Sequence, residues 1–204
     1  MDMFGDLFDN PEGSAPTAAA PSRDRRPPPG AVFFAVKPDD DAGTQAMARA
    51  EELRTAYKLR DKPRQELLHV TLFAIGNFPD LPKERLDAAI RIASAFRMAP
   101  FDITLDRALT FNTKKPKLPL VLAGSDGIAK VRMFRQALLG DMKRAGIRPT
   151  AGSDESHMTL LYDPLNVPEQ PIEPIRWTVR DFVLVHSHYG LGKHDELGRW
   201  PLHG

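Results

Sequence analysis

Apolar positions along this chain follow two alternating periods. Ala31 to Val36 (AVFFAV) is a continuous apolar run between Gly30 and Pro38, the pattern of a short buried strand. Asp39 to Asp41 then supply an N-cap and first-turn acids for a helix to about Leu59, with Met47, Ala50, Leu53 and Tyr57 on one face. Leu67 to Ile75 (LLHVTLFAI) predicts a second strand, closed by Gly76 and Asn77. A second helix opens at Pro82 and runs to about Met98. Strands follow at Phe101 to Phe111 and Leu118 to Ala123, and a third helix from about Asp126 to Arg144 is stopped by Gly146. Ser156 to Tyr162, Trp177 to Ser187 and Glu196 to Leu202 complete the predicted strands.

An internal repeat lies in this order. Val32 to His69 and Leu120 to His157 span the same length, each passing from a strand through one helix to a strand that carries a histidine. Two related strand–helix–strand units predict an α+β protein of two related lobes.

The first thirty residues break the pattern. They hold six of the nineteen prolines and the alanine run Ala18 to Ala20, too little apolar surface to offset the entropy of ordering. Residues 1–30 are therefore expected to be a disordered Pro/Ala-rich tail, and 31–204 a single bilobal domain. Phe4, Leu7 and Phe8 stand at helical spacing, a short turn by which the tail would dock weakly on a partner protein. Asp2, Asp6, Asp9 and Glu12 contradict a targeting signal.

Composition narrows the chemistry. There is no cysteine, which removes disulfides, thiolate nucleophiles and Cys-based zinc sites and fits a reducing, cytoplasmic setting. The run at Ala31 is far short of the ~20 apolar residues of a membrane helix, so no membrane is expected. Net charge is +1, so binding to nucleic acid must rest on a local site. Five acids and three arginines fall in the tail, leaving 25 basic and 22 acidic residues in the remainder.

The repeat carries its chemistry at His69-Val70-Thr71-Leu72 and His157-Met158-Thr159-Leu160. With six His, ten Thr and 22 Leu in 204 residues, chance predicts about 0.03 matches to His-x-Thr-Leu. On a strand of period two, His69 and Thr71 share a face, as do His157 and Thr159, so two such strands would enclose one cavity with two imidazoles and two hydroxyls. Imidazole titrates near pH 6.5, which suits one ring to act as base while the other acts as acid. Threonine hydroxyls donate to non-bridging phosphate oxygens, and in-line displacement at phosphorus needs groups on opposite sides.

Other residues are weaker candidates. The loop Asn112 to Lys117 (NTKKPK) is cationic; Lys114 and Lys115 would contact the phosphates of an RNA end and Phe111 would stack on a base. Arg64 is similarly placed before His69. His186 and His188 form a His-x-His pair, with His194 or Asp195 as a third zinc ligand, yet the segment reads as a hairpin around Gly190 and Gly192 with exposed histidines, and no metal or other cofactor is expected. Trp177 and Trp200 read as packing residues.

The paired His-x-Thr-Leu motifs resemble those of the 2H phosphoesterase superfamily. The run Phe182 to Leu202 (FVLVHSHYGLGKHDELGRWPL) resembles its bacterial branch, 2′-5′ RNA ligase or RNA 2′,3′-cyclic phosphodiesterase. The resemblance covers about Ala31 to Leu202. It implies a bilobal α+β fold of two pseudo-symmetric antiparallel-sheet lobes with helices on the outside and a central cleft, no metal, and hydrolysis of 2′,3′-cyclic phosphates to 2′-phosphomonoesters, with 2′-5′ ligation as the reverse. Carried over, His69 would protonate the departing 3′-oxygen, His157 would activate water, and Thr71 and Thr159 would hold phosphate oxygens. One departure is His186 before Ser187, where the branch often has arginine. The implied partners are RNA ends or 2′,3′-cyclic nucleotides, and a monomer is expected. The alternative is a non-catalytic binding module for phosphorylated RNA ends.

Overall fold

The computed structural model describes residues 30–125, 127–149 and 155–204. The tail and its Phe4, Leu7 and Phe8 lie outside them. Eight strands form one antiparallel sheet: β1 (Gly30–Val36), β2 (Val70–Phe78), β3 (Phe101–Thr110), β4 (Leu118–Ala123), β5 (His157–Asp163), β6 (Gln170–Val179), β7 (Asp181–His188) and β8 (Lys193–Pro201). Their spatial order is β6-β3-β4-β5-β2-β1-β7-β8. Two four-stranded halves therefore meet at the β5–β2 seam, and the bilobal α+β arrangement read from the repeat is present. The chain builds one half through β2, builds the other through β6, and returns to the first with β7 and β8.

Three helices cover one face: α1 (Asp40–Tyr57), α2 (Lys83–Ala95) and α3 (Ala129–Arg144). Asp39 caps α1 by accepting from the Ala42 amide at 2.9 Å. Gly146, at φ 79°, ends the run after α3, a conformation that glycine adopts without strain. Ala42, Ala46, Ala50 and Leu53 of α1, with Val131, Phe134, Leu138 and Met142 of α3, form the main core with Val32, Phe34, Val70, Leu72, Met158 and Leu160 of the strands. α1 packs on β5 and β6, and α3 on β2 and β3, so both helices tie one half to the other. Trp177 of β6 adds a bond across the halves, donating to the Lys37 carbonyl at 3.1 Å. Trp200 donates to Ser94 Oγ at 2.8 Å and stacks near Phe182, so both tryptophans are packing residues.

Among the described residues, the opposite face carries no helix. A small cluster of Ala31, Phe33, Ala35, Ala74, Val183 and Val185 lines it. Among the described residues no helix is long and apolar enough to cross a membrane.

Several boundaries differ from the sequence expectation: β2 runs on to Phe78, α2 ends at Ala95, α3 starts at Ala129, and β8 is Lys193–Pro201. The expected strand Trp177 to Ser187 is two strands broken at Arg180, the end of β6 and most of β7. The start of β6 is hidden by Pro171 and Pro174, which are tolerated because β6 lies at the sheet edge. The expected strand at Leu67 is a single 3₁₀ turn, Gln65–Leu67, and β2 begins only at Val70.

Candidate active site

Among the described residues, the two half-sheets pair at Val70 opposite Met158. Both residues point into the main core. Side chains alternate faces along a strand, so His69 and Thr71, and likewise His157 and Thr159, turn to the helix-free face. All four are half-buried there. The antiparallel sense sets His69 toward the Thr159 side of the seam and His157 toward Thr71.

The two imidazoles are anchored alike. His69 Nδ1 lies 2.6 Å from the Leu67 carbonyl oxygen, and His157 Nδ1 lies 2.9 Å from that of Glu155. A carbonyl only accepts, so each Nδ1 carries the proton and donates it, which leaves Nε2 as the basic atom of each ring. The Leu67 carbonyl is delivered by the 3₁₀ turn. Glu155 is steadied by Arg107, which pairs with its carboxylate and with Glu169 at 2.7 Å.

Burial disfavours the charged form of both rings. Burial pushes the His69 pKa down to about 4; the Leu67 carbonyl works against this, and charges on His157 and Lys37 add to it. Burial also lowers the His157 pKa, opposed by the carbonyl and carboxylate of Glu155. A charge on His157 disfavours one on His69.

Part of the wall of the site is not legible in the sequence. The Phe33 and His194 rings stand 5.0 Å and 5.2 Å from that of His69. His194 has its own pKa pushed to about 3, by burial and then by His69, Lys37 and Arg64. The sequence marks it only as a zinc-ligand candidate. Its neighbour Ser187 across the β7–β8 ladder places it on the helix-free face, a fact that needs the strand register. Lys37, which follows β1 and pairs with Glu196 at 2.6 Å, carries no sequence signal beyond its charge.

The weaker candidates divide. Phe111 meets the His157 ring edge-on at 4.8 Å, so it belongs to the wall of the site. It opens the loop holding Lys114 and Lys115; Lys114 is exposed, the Lys115 amide donates to Thr113 Oγ1 at 3.4 Å, and Lys117 ties the loop to Asp61 at 2.9 Å. The Arg64 guanidinium lies over Gly192, where a Cβ would come within 1.6 Å of it. It thus flanks His194.

His186 and His188 correct one expectation. They are buried, at 6% and 9% exposure, not exposed on a hairpin. His186 lies opposite Val32 on β1, so both rings are on the helix side of the sheet, away from His69. Asp195, opposite His186 on β8, shares that face, and His194 does not.

A family model, the 2′-5′ RNA ligase superfamily, matches residues 38–190, which include both His-x-Thr-Leu segments. Among solved structures, E. coli LigT complexed with 3′-AMP is 22% identical, with a TM-score of 0.64 over 85% of this chain and 98% of that chain. E. coli LigT complexed with phosphate is 22% identical, with a TM-score of 0.60 over 86% of this chain and 99% of that one. TT0787 of Thermus thermophilus is 20% identical, with a TM-score of 0.66 over 84% of this chain and 97% of that one. These likenesses show a shared fold. None of the curated proteins compared with the chain matches it.

Proposed function

The chain belongs to the 2′-5′ RNA ligase superfamily, and from that premise we propose that it is a metal-independent phosphodiesterase acting on 2′,3′-cyclic phosphates of RNA or nucleotide ends. The observation that carries this reading is the matched anchoring of His69 and His157 on either side of the Val70–Met158 pairing.

In the proposed reaction the phosphate sits between the rings. Thr71 and Thr159 donate hydroxyl hydrogen bonds to its non-bridging oxygens. His157 Nε2 takes a proton from water, and the resulting oxygen bonds to phosphorus. The P–O3′ bond breaks on the opposite side, and protonated His69 Nε2 delivers its proton to the departing 3′-oxygen. The product is a 2′-phosphomonoester beside a free 3′-hydroxyl. Run backward with a 5′-hydroxyl in place of water, the same groups form a 2′-5′ bond.

The lowered pKa values fit this cycle in a defined way. Without substrate both rings are neutral near pH 7, so neither can act as acid. A bound phosphate anion favours the charged form of an adjacent imidazole, so the proton is held when there is a substrate to receive it. Lys114 and Lys115 would contact phosphates farther along an RNA end, and Phe111, already against His157, would border the base.

E. coli LigT has been obtained with 3′-AMP, ATP and phosphate, which supports nucleotide phosphates as the ligand class. The second reading, a binding module that does not turn its ligand over, is separated by one experiment. The full chain is incubated with a 2′,3′-cyclic nucleotide and the product phosphate is located by phosphorus NMR. A 2′-phosphomonoester is expected; bound but unchanged cyclic phosphate would favour the binding module.

A further inference from the structure

On the back of the same hairpin, the β7–β8 strands gather a second group of ligating side chains. One donor atom from each of His186, His188 and Asp195 lies within 4.8 Å of the others. The two imidazole rings stand 4.2 Å apart, centre to centre. His188 Nε2 is 2.6 Å from an Asp195 carboxylate oxygen. Among the described residues, His186 Nε2 and His188 Nδ1 are buried without any hydrogen-bond partner. Buried ring nitrogens seldom go unsatisfied, because each leaves its solvation behind. The unsatisfied His186 Nε2, grouped with the His188 ring and the Asp195 carboxylate, points to a missing ligand.

We propose that His186, His188 and Asp195 bind a divalent transition-metal ion of the zinc type, on the sheet face opposite His69 and His157. Two imidazoles and one carboxylate are a donor set such ions accept, with water completing the tetrahedron. Bonds of ~2.1 Å would set the donors about 3.4 Å from one another, so the 2.6 Å His188–Asp195 contact would open as the wider separations close. The movement falls on Asp195, whose side chain is 42% exposed and whose other partner is the exposed Lys193. Gly30 keeps the pocket open: a Cβ there would sit 2.5 Å from His186 Nε2. The ion would staple β7 to β8, and β8 carries His194 to the front face beside His69. Its role is therefore structural and does not depend on the reaction proposed above.

The test uses the full chain, freed of metal with chelator and then titrated with ZnCl2 by calorimetry and with CoCl2 by visible absorption. One zinc per chain, the visible bands of tetrahedral cobalt and a zinc-dependent rise in Tm are expected. His186→Gln and Asp195→Ala should each weaken zinc binding by more than the ~10–100-fold that loss of an outer-shell partner causes. Asp195→Ala removes only a partly exposed side chain and should fold. His69→Ala should bind zinc as the parent chain does. Absence of zinc binding, or equal binding by the parent and Asp195→Ala chains, would overturn the proposal.

Discussion

Val70 sits opposite Met158, and this pairing across the seam brings two distant His-x-Thr segments to one place. The helix-side core holds both residues, so the geometry of the opposite face is fixed by packing behind it. Had either strand slipped by one residue, its histidine and threonine would have turned into the core.

The threonines provide the first prediction. If Thr71 and Thr159 each donate to a phosphate oxygen, Thr71→Val and Thr159→Val remove a charge-assisted hydrogen bond while keeping the shape. Such a bond contributes about 1.5–3 kcal/mol, so kcat/KM for a 2′,3′-cyclic nucleotide should fall by about 10- to 150-fold. Thr71→Ser and Thr159→Ser should restore most of it, as steady-state rates will show.

The pH dependence has a definite direction. Burial holds His69 at about 4 and His157 below its ordinary value in the free chain. Because kcat/KM reports the free enzyme, its bell should be centred below pH 6.5. The anionic substrate raises the pKa of the ring it contacts, so the kcat profile should lie at higher pH than that of kcat/KM. Rates measured from pH 4 to 9 check both statements.

Asp163 governs acid stability. Buried at 1% exposure, it accepts from the amides of Arg60, Asp61 and Leu165 at 2.6, 3.2 and 3.0 Å. Burial alone would raise its pKa, but these amides outweigh burial and lower it. A depressed carboxylate stabilises the fold above its unfolded pKa, near 3.9, and that stability is lost as pH falls through the folded value. Asp163→Asn should cost about 2–3 kcal/mol at neutral pH by urea unfolding, and less as the medium is acidified toward pH 3.

Chelation should separate the two faces of the sheet. In the proposed reaction His69 and His157 supply all the acid–base chemistry, so EDTA should leave turnover unchanged at 25 °C. The same treatment should lower the Tm of zinc-loaded chain and leave that of Asp195→Ala unchanged, as scanning calorimetry in parallel with rate assays will show.

Much of this is legible in the sequence because local pattern and long-range pairing agree. The His-x-Thr-Leu repeats announce both their chemistry and the strands that present it, and Gly146 and Asp39 mark helix ends through backbone rules. Features set only by strand register are hidden. His194 and Asp195 are neighbours in sequence but face opposite sides of β8, one toward His69 and the other toward His186. The 3₁₀ turn at Gln65–Leu67 ends on Leu67, which with Leu68 reads like the start of a strand, and its value lies in the carbonyl it gives His69. His186 is buried against the Phe78 ring, 4.7 Å away, a contact no local pattern encodes.

Replacing each histidine of the pair tests the central claim most directly. His69→Ala and His157→Ala should each lower kcat for a 2′,3′-cyclic nucleotide by ~10²–10⁴-fold, with circular dichroism and Tm close to those of the parent chain. A folded variant of either kind that turns the substrate over at the parental rate would contradict the joint action of the two rings on one phosphorus.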